Sequence, residues 1–427
     1  MGYQPLVGGH GCFTGRLGMV AGDVDHIGSG SRCSVPDSWR ADTTVAVSRG
    51  RRVLTGQDQG AASPRPSFVR HAAPKLSIPA FQKDVPVSLR MHPDIFHEFN
   101  VHVFERAGVP LADARLAAAV RLESALRQPA GLDAFAVARL RNTVQRLQAG
   151  GINPSPQLTV VHDHAHTALL DGDNGLGAVI GTRAMRRCLD MGREHGLALV
   201  GVRHSTTLGM MAFYAMLALQ YNVIGFVATN TELKIGLPPW GGTTPALGNN
   251  PFAIAIPAGQ APAVVLDMSV IATRPQGAPE APATSSRAPI GSEFLARAVI
   301  GEHKGYGMAL VLEILTGVLT GAGFGQMHAP EVLESPTTRH NLGHLFGALD
   351  PARFLPLEQF TARLEQLRRE IVQTPRLPGV ERIVWPGELE YERRQERLQL
   401  GIPVHENTPA ALEAFCTTFR LDPPPLM

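Results

Sequence analysis

The chain has 427 residues, enough for two or three domains, and 44% of them are hydrophobic while only 18% are charged. The 39 lysines and arginines nearly balance the 37 aspartates and glutamates. The near-zero net charge therefore gives no electrostatic reason to expect nucleic acid or an anionic membrane as a partner. Four widely spaced cysteines without a CxxC pair predict no zinc site and no disulfide framework, and we expect no bound metal.

The first part of the chain, residues 1–85, is rich in Gly, Ser and Arg and has no sustained hydrophobic periodicity. Too little apolar surface is present to offset chain entropy, so we expect a disordered extension. It is either an organelle transit peptide or an upstream segment wrongly included in the reading frame. If the segment is wrongly included in the reading frame, the cysteine usage predicts a cytoplasmic protein. If it is a transit peptide, the protein is predicted to lie in an organelle.

Order is expected from about residue 86, and residues 86–160 are predicted to be a helical part. Its three helices are predicted over 93–107, 111–127 and 134–149. Strands then alternate with helices through residues 161–325, which predicts an α/β core. The predicted strands are 158–161, 167–171, 197–202, 223–229, 252–256 and 263–267, and the predicted helices are 178–195, 210–220 and 303–319.

Two further features complete the predicted organisation. A Pro- and Ala-rich loop is predicted over 274–292, and residues 326–427 are predicted to be a C-terminal helical part with helices over 357–373 and 388–400. No transmembrane span is predicted, because the most apolar stretch, 308–325, contains Glu313 and four glycines.

Three polar segments are candidates for a site. The glycine-rich stretch 171–181 has the spacing GxGxxxG, which favours a plain turn into a core helix over a dinucleotide fingerprint. The segment 230–251 is crowded with Gly, Pro, Asn and Thr, which is typical of a site shaped by backbone amides. Lys304 lies among glycines at a helix start, where it is either a phosphate or carboxylate ligand or a solvated charge.

His204 directly follows a buried strand, at the position where α/β enzymes often carry catalytic side chains. A lone histidine there is more often a hydrogen-bonded structural residue, and no neighbour in sequence pairs with it.

Seven segments of the sequence form an ordered set: 149–154, 171–177, 239–242, 248–251, 266–268, 303–307 and 385–388. As a set, they resemble the malate/L-lactate dehydrogenase family of NAD(P)-dependent oxidoreductases, and the resemblance covers about residues 86–412. That family also includes ureidoglycolate dehydrogenase, diketogulonate reductase and piperideine-carboxylate reductase.

The resemblance implies a fold distinct from the Rossmann domain. It implies a mixed sheet that binds NAD or NADP, a helical domain built from both chain ends, and a homodimer with sites at the interface. The positions carried over for cofactor binding are Thr231, Asp267, Met268, Ser269 and Lys304, and Lys304 is also a catalytic candidate. Arg139 occupies the position of an arginine that would grip a substrate carboxylate bidentately.

The sequence departs from the family at the expected proton donors. The family's Asp-Ser-His-Gly motif reads Asp133-Ala-Phe-Ala136 here, so its Ser and His are Ala134 and Phe135. The position of the catalytic His is Thr207, and His204 is the nearest candidate to replace it. The segment between Asp267 and Lys304 is also shorter than in the family.

Two hypotheses for function follow. The first is an oxidoreductase that moves hydride between NAD(P)H and a small 2-oxo or 2-hydroxy acid, or a cyclic imino acid. The second is a catalytically inactive paralogue that keeps the fold and binds cofactor or a partner subunit. Lys304, Asp267 and Arg139 favour the first hypothesis, whereas Phe135 and Thr207 favour the second.

Overall fold

The computed structural model describes residues 89–233, 236–259, 261–270 and 303–427. The predicted disordered extension 1–85 and the predicted loop 274–292 lie outside these residues. The described residues form a mixed α/β structure with a seven-stranded sheet, a two-stranded sheet and helices from both chain ends. The fold class predicted from the resemblance is therefore confirmed.

Helices from the two ends of the chain share one hydrophobic core. The N-terminal helices are α1 (Pro93–Arg106), α2 (Leu111–Arg127) and α3 (Ala134–Ala149). Asp133 caps α3 by accepting a hydrogen bond from the amide of Ala136 at 2.7 Å, and Gly150 ends the helix at φ 82°. Strand β1 (Leu89–Met91) pairs with β9 (Ile402–Val404) near the other end of the chain.

The remaining strands form the main sheet. They are β2 (Thr159–Asp163), β3 (Thr167–Asp171), β4 (Leu197–Ser205), β5 (Ile224–Thr229), β6 (Phe252–Ile256), β7 (Val264–Met268) and β8 (Leu342–Leu349). Their order is β2-β3-β4-β8-β5-β6-β7, and only β3 and β4 are parallel neighbours. The pairings place the carboxyl ends of β3, β4, β5 and β7 and the amino ends of β6 and β8 along one edge, which we call the site edge.

Helices α4 (Gly177–His195) and α5 (Met211–Leu217) cover one face of the sheet. Buried side chains such as Val200, Met185 and Phe346 fill this core. Helix α4 starts very close to the β4–α5 turn, because a Cβ on Gly177 would lie 2.2 Å from the carbonyl oxygen of Thr206. Only glycine allows this approach, which fixes the turn that carries residues 204–207.

Three of the remaining helices were predicted, one of them with a change of geometry, whereas the helices over 330–333 and 408–419 were not predicted. The remaining helices are α6 (His303–Glu313), α7 (Pro330–Leu333), α8 (Leu357–Val372), α9 (Glu388–Leu400) and α10 (Thr408–Phe419). The helix predicted over 303–319 is α-helical only to Glu313 and continues as a π-helical turn, Ile314–Val318. Such turns are frequent at functional sites.

Strand β8 was missed by the sequence analysis. It lies within 326–427, the range predicted to be helical, yet it is the fourth of the seven strands and pairs with both β4 and β5. Its sequence, LGHLFGAL, is buried on both faces over nearly its whole length, so it lacks the polar alternation that identifies a half-exposed strand.

Within the described ranges, no helix combines the length and the apolar character needed to cross a bilayer. Nor do the same residues contain a cluster of three or more His, Cys, Asp or Glu side chains able to hold a metal ion.

Candidate active site

The middle of the site edge contains a buried hydrogen-bond network. Asn230, just after β5, donates to the carbonyl of Gly323 at 2.7 Å and accepts from the amide of Gly343 at 2.9 Å. Asn250, just before β6, donates to a carboxylate oxygen of Glu313 at 2.7 Å. Burial raises the pKa of Glu313 even though it accepts hydrogen bonds. The network locks the ends of β5 and β6 to α6.

Thr231, predicted to contact the cofactor, lies beside this network. Its hydroxyl donates to Oδ1 of Asn249 at 2.7 Å. A Cβ on Gly248 would lie 2.2 Å from the Thr231 hydroxyl oxygen, so the segment 248–250 requires glycine there. Gly248 thus allows the backbone to pack closely around Thr231.

Lys304 is exposed in the first turn of α6. Its neighbour His303 packs edge-on against the exposed ring of Trp240, with 5.6 Å between the ring centroids. The cation therefore lies next to the Trp240 loop at a helix N-terminus, a location that favours anionic groups.

Asp267, Met268 and Ser269 end β7 at the far side of the site edge. The Asp267 carboxylate accepts a hydrogen bond from the amide of Ala212 at 2.8 Å, in the first turn of α5. Although the residue as a whole is exposed, desolvation of the carboxyl group raises its pKa to about 6. The carboxylate therefore faces α5 in this structure.

Arg139, predicted to bind the substrate carboxylate, projects from α3. Its guanidinium carbon lies 5.4 Å from the centroid of the exposed Phe135 ring, the residue in place of the family histidine. Desolvation lowers the pKa of Arg139, and the carboxylates of Asp133 and Glu232 partly offset that effect. Glu232 thus lies within electrostatic reach of the predicted carboxylate ligand.

Glu232 and His340 form a pair that the sequence analysis did not identify. Oε1 of Glu232 lies 2.8 Å from Nδ1 of His340, whose side chain is buried. Arg146, on the same helix as Arg139, approaches the same nitrogen at 3.0 Å and donates to the carbonyl of Thr338 at 2.9 Å. In the sequence, the signal that could have pointed to Glu232 is its position directly after Thr231. No sequence pattern links it to His340, 108 positions later.

His204 does have a partner, and it is Asp171. Nδ1 of His204 lies 2.8 Å from Oδ2 of Asp171, and Arg203 donates to the same oxygen at 3.2 Å. Desolvation acts to raise the pKa of Asp171, but hydrogen bonds from the Asp173 amide, His204 and Arg203 outweigh it and lower the pKa. His204 has φ 50°, in the left-handed region that few histidines adopt.

Thr207 lies exposed in the turn between β4 and α5. Within the described residues, no hydrogen bond or ion pair joins its side chain to an ionisable group. Glu232, the residue after Thr231 in the chain, lies within electrostatic reach of Arg139, whereas His204 and Thr207 lie at the end of β4. Two strand spacings separate β4 from β5, roughly 10 Å.

The residues on the β5–β7 side fit a nicotinamide dinucleotide. A buried acceptor, Oδ1 of Asn250, lacks a hydrogen-bond partner among the described residues, and such an acceptor matches the donor chemistry of a carboxamide. Lys304 supplies an exposed cation suited to phosphate, and Thr231 supplies a hydroxyl.

Comparison with known proteins identifies the family of the chain. The family model described as malate/L-lactate dehydrogenase matches residues 91–281 and 271–413. Malate dehydrogenase of Pyrococcus abyssi is 32% identical over 341 residues, which cover 74% of this chain and 91% of that protein. L-sulfolactate dehydrogenase of Methanocaldococcus jannaschii is 29% identical over 347 residues, covering 78% and 98%.

The likeness extends to a solved structure. Malate dehydrogenase from Pyrococcus horikoshii superimposes with a TM-score of 0.68 at 28% identity, over 81% of this chain and all of that chain. The match of a family model over most of the chain, together with this likeness, establishes that the chain belongs to the malate/L-lactate dehydrogenase family of oxidoreductases.

Proposed function

We propose that the protein transfers hydride between a nicotinamide cofactor, NAD or NADP, and a small 2-oxo or 2-hydroxy acid. The observation that carries this proposal is that Arg139, the predicted substrate ligand, lies within electrostatic reach of Glu232, the residue next to Thr231 in the chain. An arginine fork that binds a carboxylate there would hold the 2-position of the acid close to the residues predicted to bind the cofactor.

The proposed roles follow from the chemistry of the side chains. Arg139 binds the substrate carboxylate. Thr231, Lys304 and the segment Asp267–Ser269 hold the cofactor, with Lys304 also close to the reacting groups. When bound, the nicotinamide supplies or accepts the hydride. The relatives are malate and L-sulfolactate dehydrogenases, which supports a substrate that carries a second acidic group.

We also propose a homodimer. Helix α6 and the π-helical turn expose an apolar face, and its exposed residues are Met308, Val311, Ile314, Val318 and Leu319. Monomers rarely expose contiguous apolar surface of this kind. Replacing both Val311 and Val318 by Glu is expected to give monomers in sedimentation velocity, whereas Val160→Glu, on a distant strand, is expected to leave the dimer intact.

The first experiment measures oxidation of NADH and NADPH with a panel of 2-oxo acids and cyclic imines, and titrates cofactor binding by fluorescence. Turnover with one member of the panel supports the proposal. Tight cofactor binding without any turnover supports the alternative, an inactive paralogue, for which the replaced proton donors Phe135 and Thr207 are the motivating observation.

The same assay tests His204 as a surrogate proton donor. Turnover that is lost in His204→Ala but kept in Thr207→Ala would assign the role to His204. Turnover kept in both variants would place the proton donor elsewhere.

A further inference from the structure

Glu232 lies where a proton must be exchanged during the proposed reaction. It is adjacent in sequence to Thr231, predicted to contact the cofactor, and near enough to Arg139 to raise the pKa of that predicted substrate ligand. Its side chain is 31% exposed, so it is accessible to a small acid and to water. An acid held by Arg139 with its 2-position toward Thr231 would therefore bring its reacting oxygen near Glu232.

His340 holds this carboxylate in place. Its side chain is 3% exposed at the amino end of β8, and Nδ1 lies 2.8 Å from Oε1 of Glu232. A carboxylate can only accept and a guanidinium can only donate. We assign Nδ1–H as the donor to Glu232, because the carboxylate can only accept. Nη1 of Arg146 then contacts Nδ1 without a hydrogen bond between them, while Nη2 of Arg146 donates to the Thr338 carbonyl at 2.9 Å. A buried ring fixed by packing thus orients the carboxylate.

The charged groups around Glu232 come from several elements. Arg139 and Arg146 face it from α3, and His340 and His328 face it from the segment between α6 and β8. The Asp171–His204 pair is a weaker candidate, because it belongs to β3 and β4, and two strand spacings, roughly 10 Å, already separate β4 from β5.

We propose that Glu232 is the acid–base residue of this enzyme and that His340 is its positioning residue; this rests on the proposed function. In the oxidative direction the hydroxyl proton of the 2-hydroxy acid goes to the Glu232 carboxylate. The hydride on the same carbon goes to the nicotinamide, and the carbon–oxygen double bond forms. In reduction the protonated Glu232 returns the proton to the keto oxygen, and the exposed part of its side chain exchanges protons with water.

The experiment compares Glu232→Gln with Glu331→Gln, a matched change at an exposed glutamate of α7. Glu232→Gln is expected to lower kcat/KM for the best 2-hydroxy acid of the panel by about 10²- to 10⁴-fold, the usual effect of removing a positioned acid–base group. It is also expected to abolish the rise of kcat/KM with pH. His340→Gln is expected to lose less activity and to shift that rise. Glu331→Gln should retain both rate and pH profile.

A second readout does not depend on turnover. Oxamate mimics a 2-oxo acid but is not reduced, and its carbonyl would need a protonated Glu232 as donor. Calorimetry in buffers of different ionisation enthalpy is expected to show close to one proton taken up per site at pH 8 when oxamate binds the wild-type NADH complex, and close to none in Glu232→Gln. NADH affinity should be equal in both proteins.

Three results would overturn the assignment: kcat/KM of Glu232→Gln within threefold of wild type, equal proton uptake by both proteins, or loss of NADH binding in Glu232→Gln. Failure of the proposed function is distinguishable, because the wild type would then bind NADH but neither turn over any acid nor take up a proton with oxamate. That result would overturn the assignment as well.

Discussion

Two histidine–carboxylate pairs lie along the same edge of the sheet, and they differ in what surrounds them. Asp171–His204 has the more exposed histidine, with a side chain that is 45% exposed, whereas the histidine of Glu232–His340 is buried. Both pairs have a contact of 2.8 Å between Nδ1 and a carboxylate oxygen, so the bond itself does not distinguish them.

Position distinguishes them instead. In the first pair the carboxylate is held by Arg203 and orients a histidine. In the second pair a histidine orients a carboxylate that follows Thr231 in the chain and lies within electrostatic reach of Arg139. Acid–base chemistry requires reach to the reacting atom before it requires a suitable pKa. We therefore assign a structural role to Asp171–His204 and the proposed catalytic role to Glu232–His340.

Beside Glu232 itself, the largest effect is expected at Arg139, the predicted ligand of the substrate carboxylate. Arg139→Ala is expected to lower kcat/KM by about 10²- to 10³-fold, because loss of one partner of a hydrogen-bonded charge pair typically costs about 2 to 5 kcal/mol. Steady-state kinetics with the best acid of the panel measures it. Arg139→Lys, which keeps the charge but not the bidentate fork, should recover only part of the loss.

NADH affinity serves as the control for that variant. It should be unchanged in Arg139→Ala, since the cofactor residues lie on other elements. Equal losses of substrate and cofactor binding would contradict a role specific to the substrate carboxylate.

A smaller effect is expected at Asp267, on the cofactor side. Because its pKa is raised in the folded protein, Asp267 contributes stability that is present at low pH and is lost as pH rises through about 6. Asp267→Asn removes the cost of burying a charged carboxylate above that pH, so the melting temperature at pH 7.5 should stay level or rise slightly. NADH affinity should fall about tenfold, as expected from loss of a hydrogen bond to a charged group.

Differential scanning fluorimetry across pH 4 to 8 and fluorescence titration measure the two effects of Asp267→Asn. A lower melting temperature with normal NADH affinity would make Asp267 a cap of α5 and not a cofactor ligand.

The sequence could predict those parts of the fold whose pattern is local. Helix α3 begins after Asp133 and ends at Gly150 as predicted, because a side-chain cap and a left-handed glycine act within a few residues. Strand β8 could not be predicted, because a strand buried on both faces shows no alternation, and its partners β4 and β5 are distant in the chain.

The same distinction holds for the site. Short motifs could nominate Thr231 and Arg139 as candidates. By contrast, the order of the strands brings Asp171 to His204 and His340 to Glu232, and no local pattern indicates either pair. Sequence reasoning therefore reached the residues that stand in motifs. It missed pairs that form because β3 lies beside β4 and β8 beside β5.

The smallest expected effect concerns Asp171. Its pKa is lowered in the folded protein, so its contribution to stability is present above its pKa in the unfolded chain, near 4, and is lost as pH falls further. Asp171→Asn is expected to destabilise the fold at pH 7 by about 1 kcal/mol and by less as pH approaches 3. Asp163→Asn, which breaks the more exposed pair with Arg187, should have a smaller effect. Urea unfolding at several pH values measures these differences, while kcat/KM of Asp171→Asn should stay within threefold of wild type. A hundredfold loss of kcat/KM with unchanged stability would reverse the assignment of the two pairs, because Asp171 would then orient a catalytic His204.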